Sequence, residues 1–356
     1  MLSGRRFGVA SGRFMKRRKF LTSATVGLSA VGFPRLLLAQ KAETAKPVIG
    51  QDGFKYECDH EWGKLPEGHN YGGASHGVAF DSQGLVYISH QGSPGGVFVF
   101  DQDGKFVKSM APNHAGKGHG IDIRREGNED FIYLAPNGGG PCAKLNLKGE
   151  CVWEGGKPPE SHRYDKKEPF NATNISFCPD GGWHVGDGYG SSFLHRFDKN
   201  GNYINSFGGK GNDNTHFNTP HGHWLDDRDG VPKICVCDRA NSRLQYLTLD
   251  GQYLSTVSGI DRPASLDIKG DLMLCTEVFI GRMAIFDKNN KIVCRLGDDP
   301  AWIKTIAETP NFRGQRDKWQ PGKFIHPHDA AWDKDGNIFV TEWVVGGRVT
   351  KLRKVG

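Results

Sequence analysis

The feature that most constrains the fold is an internal repeat that runs through most of the chain. Each copy contains three or four short runs of alternating apolar residues, and turns of the D-x-x-G type separate the runs, a pattern that predicts β-hairpins rather than helices. The six copies begin at His76, His119, Asn174, His221, Ala264 and His328. Repeats of about 40–60 residues with four strands each are typical of β-propellers. The sequence therefore predicts an all-β fold, a six-bladed β-propeller.

The ends of the repeat indicate how the ring of blades closes. The sixth copy stops after its third strand, at Lys351–Lys354, and so lacks an outer strand. The segment Phe54–Pro66, before the first copy, is expected to supply that strand and to leave no sheet edge open. We therefore assign residues 54–356 to the propeller. Two insertions interrupt the repeat, Gly155–Phe170 and Gly297–Lys323, and the second contains a predicted short helix at PAWIKTIAET.

The N-terminal segment has the pattern of an export signal. Residues 1–40 carry eight Lys or Arg and no Asp or Glu, and the basic head leads through an apolar stretch to small residues, as in signal peptides. The pair Arg17-Arg18 is similar to a twin-arginine signal. We interpret 1–39 as the signal peptide and 40–53 as a linker, and expect a periplasmic or extracellular protein. An uncleaved anchor or a basic tail is the alternative.

The charge distribution and the cysteines exclude several classes of protein. The formal net charge is +6, but without the eight basic residues of the N-terminal segment the body is at −2. Because the body is nearly neutral, we predict no nucleic-acid partner. We also expect no membrane partner after signal removal. The protein is expected to be a monomer that takes a small-molecule or peptide substrate. The eight cysteines contain no C-x-x-C. Most fall in apolar strand patterns and are interpreted as core residues, with no disulfide pairing assigned.

Histidines recur at one position of the repeat, directly before the first strand. That position reads His76, His119, Asn174, His221, Ser265 or its neighbour, and His328. Because first strands line the channel of a propeller, the histidines of alternate blades, His119, His221 and His328, are expected about 120° apart around its axis. Three converging imidazoles with an open fourth position are the ligands of a catalytic zinc. The alternative for each histidine is a role in a turn or in the core.

Several stretches of the chain resemble one enzyme family. VGDGYGSSFLHRFDKNGNYINSFG, HFNTPHGHWLDD, ICVCDRANSRLQYL and HPHDAAWDKDGNIFVTE resemble the peptidyl-α-hydroxyglycine α-amidating lyase domain, within the wider NHL-repeat propellers. The resemblance covers about Ser75 to Lys354 and is weakest over the fifth blade. It implies a zinc ion held by His119, His221 and His328. It also implies a calcium ion held by the side chain of Asp329 and by the main-chain carbonyls of Val78 and Ile121.

The resemblance also implies catalytic residues. The catalytic tyrosine of the family matches Tyr189 in DGYG, and its active-site arginine matches Arg239 in CDRANSR. The implied reaction is cleavage of a carbinolamide to an amide and glyoxylate, with Tyr189 as the base and Arg239 beside the developing oxyanion. The alternative for Tyr189 is packing between blades. For Arg239 it is a turn in which Asp238 and Arg243 clamp a hairpin, as in NHL proteins without activity.

This chain departs from the family on the substrate side. A second active-site arginine, which handles the substrate carboxylate in the family, aligns with Gln91, and a guanidinium is the better partner for a carboxylate. His76 replaces a small residue, so it is expected either to bind substrate or to become a fourth metal ligand. His326 replaces a methionine and is expected to line the substrate pocket. Gly190 and Tyr246 stand where the family has disulfide cysteines.

Two further classes of function stay open at this point. One is a calcium-dependent lactonase or hydrolase that uses a channel carboxylate, Glu277 or Glu342. These residues occupy the positions of Asp187 and Asp238 in their blades, so a shared role in capping turns is the competing interpretation. The other class is a non-catalytic NHL propeller that binds a peptide or a glycan.

Overall fold

Residues 45–51, 53–164 and 168–356 are described by the computed structural model, and they form six β-sheets. The first three blades each take four antiparallel strands in chain order: β3 Ser75–Phe80, β4 Val86–His90, β5 Val97–Phe100 and β6 Phe106–Met110; β7 Gly120–Glu126, β8 Glu129–Ala135, β9 Cys142–Asn146 and β10 Cys151–Gly155; β11 Asn174–Phe177, β12 Trp183–Gly186, β13 Phe193–Phe197 and β14 Tyr203–Gly208. The six-bladed β-propeller expected from the repeat is confirmed.

The last three blades follow the same order, and the sixth is completed from the N-terminal side. Their strands are β15 Pro220–Asp226, β16 Lys233–Asp238, β17 Arg243–Leu247 and β18 Tyr253–Val257; β19 Pro263–Lys269, β20 Leu272–Glu277, β21 Arg282–Phe286 and β22 Ile292–Leu296; β23 Pro327–Trp332, β24 Ile338–Glu342 and β25 Arg348–Lys354. Strand β2, Tyr56–Asp59, pairs antiparallel with β25, with Tyr56 opposite Lys354. The prediction that a segment within Phe54–Pro66 closes the ring is therefore correct.

A short strand at the edge of the sixth blade was not predicted from the sequence. Strand β1, Val48–Ile49, pairs with β2 and gives that sheet a fifth strand. It lies inside the segment 40–53 that the sequence assigns to a linker. Two apolar residues are too short a run to show a strand period. The predicted signal peptide at 1–39 lies outside the described residues.

The helical segments are short and lie outside the blades. Helix α1, Pro300–Glu308, falls in the second insertion as predicted, and Asp299 caps it by accepting from the N–H groups of Ala301 and Trp302. Single 3-10 turns are found at Pro112–His114, Pro159–Ser161, Arg239–Asn241, Val278–Ile280, Phe312–Gly314 and Arg316–Lys318. Among the described residues, no helix has the length and apolar character needed to cross a membrane.

The D-x-x-G turns that mark the repeat have a consistent geometry. In the first blade, one carboxylate oxygen of Asp101 accepts from the N–H groups of Asp103 and Lys105, and Gly104 has a φ of +83°. The aspartate thus replaces missing strand partners, and the glycine takes a conformation that other residues adopt at a cost. This explains why the turn motif predicts the hairpins so well.

The hydrophobic core lies between the blades rather than at one centre. Six buried clusters each join side chains from two neighbouring blades, one at every interface of the ring, and a seventh lies around helix α1. At the closing interface Tyr56 of β2 packs with Leu274 and Ile285 of the fifth blade and with Trp332 of the sixth. The closing strand therefore contributes core side chains as well as main-chain hydrogen bonds.

All eight cysteines lie in the described part of the chain and are free thiols. Seven are buried, and Cys151 is exposed. Cys235, Cys237 and Cys275 belong to one interblade cluster. The interpretation as core residues is thus confirmed for the five cysteines in apolar strand patterns, Cys142, Cys178, Cys235, Cys275 and Cys294.

Replacing Tyr56 by alanine tests the contribution of the closing strand. Tyr56 is 2% exposed, and truncating a buried aromatic side chain costs about 3–5 kcal/mol. We expect Tyr56→Ala to lower the free energy of unfolding in urea by that amount. Val107→Ala on β6, where the valine is 48% exposed, serves as the control and should change stability by less than about 0.5 kcal/mol. Equal stabilities of the two variants would contradict this account of ring closure.

Candidate metal and substrate site

The channel is lined by two stacked rings of residues, one pair from each first strand. The pairs are His76 and Gly77, His119 and Gly120, Thr173 and Asn174, His221 and Gly222, Ala264 and Ser265, His328 and Asp329. The histidine ring is completed by Thr173 and Ala264. The predicted ring position Asn174 therefore lies one residue too far along the chain, and in the fifth blade the position is Ala264, the neighbour of Ser265; neither blade has a histidine to mark the register.

Hydrogen bonds to main-chain carbonyls cross every blade interface at the level of the histidine ring. His119 Nδ1 donates to the carbonyl of Thr173 at 2.7 Å, His221 Nδ1 to Ala264 at 2.7 Å, and His328 Nδ1 to His76 at 3.0 Å. Hydroxyl groups donate at the other three interfaces, from Ser89 to the His119 carbonyl, from Thr173 to Pro220 and from Thr276 to His328. Each blade is thus bonded to the next within the channel.

These bonds determine which nitrogen of each histidine faces the axis. Because a carbonyl can only accept, the Nδ1 atoms of His119, His221 and His328 carry the proton. The Nε2 atom of each ring is therefore unprotonated and keeps its lone pair. The three ring centroids lie 4.8 Å from one another in every pair. The sequence prediction that these three imidazoles converge is therefore correct in geometry.

Burial keeps the histidines neutral. Desolvation lowers the pKa of His119 to about 4 and holds the pKa values of His221 and His328 well below the usual range of histidine. Neutral imidazoles with lone pairs facing one point are what a divalent metal ion needs. The residues present therefore fit a zinc ion.

His76 adds a fourth imidazole to the site. Its Nδ1 lies 3.3 Å from His328 Nε2, and ligand atoms of His76, His119 and His328 all lie within 4.8 Å of one another, a set that does not include His221. The carbonyl that His76 would meet in the next blade, that of His119, already accepts from Ser89. His76 is thus not held as the other three are, and its buried Nε2 has no partner among the described residues.

Tyr189 and Arg239 meet the histidines from above. The Tyr189 hydroxyl lies 3.1 Å from His119 Nε2 and 2.9 Å from His221 Nε2, and Arg239 Nη1 donates to it at 3.3 Å. The hairpin clamp between Asp238 and Arg243, which was the alternative to a catalytic role for Arg239, is also present. Arg243 Nε donates to Asp238 at 2.7 Å. Arg243 therefore holds the turn, and Arg239 is left to face the channel.

A cavity of about 340 Å³ opens above these groups. It is lined by His76, Asn137, Tyr189, Arg239, Val278, Phe279, His328 and Trp343. Sequence reasoning missed Asn137, Phe279 and Trp343. Each follows the second strand of its blade by one or two residues, as Arg239 does, and Tyr189 follows its strand by three. A search of the residues directly after every second strand would have identified them.

The remaining two predicted substrate residues lie behind the cavity walls. Gln91 lies against Gly73, where an added Cβ would stand 2.7 Å from Gln91 Oε1. His326 Nδ1 donates to the carbonyl of Val278 at 3.0 Å, and its ring packs against Phe279 and Trp343. His326 thus supports two wall residues, and its predicted contact with substrate stays a prediction.

Asp329, the predicted calcium ligand, lies beside Val78 and Ser265. Asp329 Oδ2 accepts from the N–H of Val78 at 3.0 Å, and Oδ1 accepts from Ser265 Oγ and from the N–H of Ala330. Ile121 packs beside Gly77. A calcium ion held by Asp329 and by the carbonyls of Val78 and Ile121 stays a prediction from the resemblance.

The two channel carboxylates considered for a lactonase are engaged elsewhere. Glu277 accepts from Arg282 Nε at 2.6 Å and from the N–H of Asp261 at 2.8 Å. Glu342 pairs with Arg348 and accepts from the N–H of Ile325 at 2.7 Å. Both side chains are fully buried. They cap turns, and neither is available to act as a base or as a metal ligand.

Comparison with known proteins agrees with an NHL-type propeller. No protein-family model matches the chain. Mouse NHL repeat-containing protein 3 is 29% identical over 210 residues, which are 56% of this chain and 58% of that protein. Peptidyl-glycine alpha-amidating monooxygenase A of Xenopus laevis is 26% identical over 242 residues, 58% of this chain and 24% of that protein. The chain thus matches only about half and a quarter of these two relatives.

Solved propellers share the fold at low identity. A streptogramin B lyase superposes with a TM-score of 0.53 at 15% identity, covering 84% of this chain and 97% of that one. A putative gluconolactonase gives a TM-score of 0.54 at 12% identity, covering 83% and 97%. The chain is therefore a six-bladed propeller that is similar in sequence to an NHL repeat-containing protein and to an amidating monooxygenase, and the solved propellers that share its fold include a lyase and a putative gluconolactonase.

The glycines that follow the ring histidines allow the next blade to come close. A Cβ at Gly222 would lie 2.5 Å from the carbonyl oxygen of Ala264, the acceptor of His221 Nδ1. We expect Gly222→Ala to lower the free energy of unfolding by about 1–3 kcal/mol, because backbone atoms must move to admit the methyl group. Urea denaturation measures the change. Gly140→Ala is the matched control, since its nearest neighbour is a side-chain carbon at 3.5 Å; a loss as large in this variant would contradict the role of close approach.

Proposed function

We propose that the protein is a metal-dependent lyase. Its reaction is cleavage of the C–N bond of a peptidyl-α-hydroxyglycine-type carbinolamide to an amide and glyoxylate. The observation that carries the proposal is the meeting of three neutral imidazoles beside the hydroxyl of Tyr189, which lies 2.9 and 3.1 Å from two of them and lines a cavity together with His328.

The three imidazoles His119, His221 and His328 would hold the metal ion. A zinc ion bound there would supply a Lewis acid that polarises the hydroxyl oxygen of the substrate. Their Nδ1–H bonds to main-chain carbonyls fix the orientation of the rings before any ligand arrives.

Tyr189 is assigned the proton transfer. In the reaction the hydroxyl proton leaves, the C=O bond forms, and the C–N bond breaks with its electron pair moving to nitrogen, which takes up a proton. The Tyr189 oxygen accepts the hydroxyl proton and returns a proton to the departing nitrogen. Arg239, 3.3 Å from the Tyr189 oxygen, is placed to stabilise the negative charge that develops during this transfer.

The cavity walls would hold the acyl side of the substrate. Phe279 and Trp343 offer apolar faces, and Asn137 offers an amide. His76 carries a buried Nε2 without a partner among the described residues, so a substrate oxygen or N–H would satisfy it. An exported protein is consistent with a peptide or small-molecule substrate met outside the cytoplasm, and both the signal and this location are part of the proposal.

Replacing Tyr189 by phenylalanine tests the proposed reaction. The assay measures glyoxylate and benzamide released from N-benzoyl-α-hydroxyglycine by zinc-loaded protein. We expect Tyr189→Phe to reduce kcat by about 10²–10⁴-fold, because the ring stays and only the proton-transferring oxygen is lost. Its metal content and its urea unfolding midpoint should equal those of the unaltered protein.

Tyr253→Phe is the control, since Tyr253 bonds Thr256 on an outer strand far from the channel. It should retain full activity. Wild-type activity in Tyr189→Phe would refute the assignment of the proton transfer to Tyr189. Failure of the zinc-loaded unaltered protein to release glyoxylate would overturn the lyase proposal and favour the non-catalytic binding propeller.

A further inference from the structure

Two guanidinium groups near the cavity have no acidic partner. Most arginines of the described chain pair with a carboxylate, as Arg243 does with Asp238 and Arg348 with Glu342. Arg239 and Arg313 have no carboxylate oxygen within 4.0 Å among the described residues. Both are half-buried. Partly buried cations without counter-ions indicate that an anionic ligand approaches them.

Arg239 already has a role beside Tyr189, so Arg313 is the cation left to explain. Arg313 belongs to the second insertion, Gly297–Lys323, and its carbonyl accepts from the N–H of Val345 at 3.0 Å. Its guanidinium carbon lies 3.7 Å from the ring centroid of Trp343, one of the cavity walls. A stacked guanidinium of this kind is held in one plane.

The hydrogen bonds of Arg313 are incomplete. Nη2 donates to the carbonyl of Gly73 at 2.8 Å, whereas Nε is buried and has no acceptor among the described residues. Burial without a counter-ion also lowers the pKa of Arg313. A buried N–H without an acceptor is unfavourable, so the Arg313 guanidinium has hydrogen-bonding capacity that the described residues do not use.

The position of Arg313 relates it to the histidine site. Gly73 lies three residues before His76 and touches the side chain of Gln91. Arg313 and Gln91 thus flank the same glycine, on the side of the cavity where the first and sixth blades meet. The Arg313 guanidinium thus extends from the insertion to the position where the repeat provides only the side-chain amide of Gln91.

We propose that Arg313 binds the carboxylate of the substrate, with the planar guanidinium as donor and the wall residue Trp343 as its support. This assignment rests on the proposed function, which places a glycine-derived carboxylate in the cavity. It names a specificity residue in a segment outside the repeat. Substrates that lack the carboxylate should bind without help from Arg313.

Binding without turnover tests this assignment. Isothermal titration calorimetry compares N-benzoylglycine with its neutral amide, N-benzoylglycinamide, on zinc-loaded protein. We expect the carboxylate to bind the unaltered protein at least tenfold more tightly than the amide. Arg313→Gln should weaken binding of the carboxylate by about 10–100-fold and leave binding of the amide unchanged, as expected for loss of charge-assisted hydrogen bonds.

Arg316→Gln is the matched control, because Arg316 lies in the same insertion but is exposed. It should bind both ligands as the unaltered protein does. Arg313→Lys should retain part of the preference, since the charge remains but the planar pair of donors is lost. Equal binding of carboxylate and amide to the unaltered protein, or an unchanged preference in Arg313→Gln, would overturn the assignment.

The result is separable from that of the lyase assay. A carboxylate preference that depends on Arg313, in a protein that releases no glyoxylate, would support the anion subsite and refute the lyase. Glyoxylate release that is unaffected by Arg313→Gln, at substrate concentrations below KM, would support the lyase and refute the subsite.

Discussion

The structure depends on the main-chain carbonyls that face the channel. At each of the six blade interfaces, a side chain of one blade donates to the carbonyl at or directly before the ring position of the next. Three of these donors are imidazoles. The bonds that join the blades therefore also set the tautomers of His119, His221 and His328, and turn their Nε2 atoms to the axis. The contacts that join the blades thus also arrange the histidines of the candidate metal site.

A second set of contacts positions the cavity walls. Buried carboxylates at the ends of second strands accept main-chain N–H groups from the preceding blade connection, as Asp187 does from Asn171 at 2.7 Å and Asp238 from Asn218 at 2.6 Å. Tyr189 and Arg239 follow these residues by two positions and one. Phe279 and Trp343 follow Glu277 and Glu342 by the same spacings. The hydrogen bonds of the buried carboxylates thus position the turns that carry the wall residues.

Much of the fold and of the candidate site was predictable from the sequence, and the features that were not predicted were missed for physical reasons. Hydrophobic alternation and D-x-x-G turns predicted the blades, and the repeat register predicted that His119, His221 and His328 meet. The ring position Thr173 was misplaced by one residue, and the choice between Ala264 and Ser265 was left open, since these positions contribute a carbonyl that any residue type offers. Strand β1 was too short to show a period. Arg313 lies in an insertion where no repeat fixes the register, so only the fold could bring it to Gly73.

The most direct test of the metal site is the X-ray absorption spectrum of the zinc-loaded protein. We expect one zinc per chain, with at least three imidazole nitrogens at about 2.0–2.1 Å. His221→Gln should lose one imidazole donor and bind zinc more weakly. His184→Gln, which alters a buried histidine bonded to Leu249, should give the spectrum of the unaltered protein. A protein that binds no stoichiometric zinc, or a spectrum unchanged by His221→Gln, would contradict the proposed site.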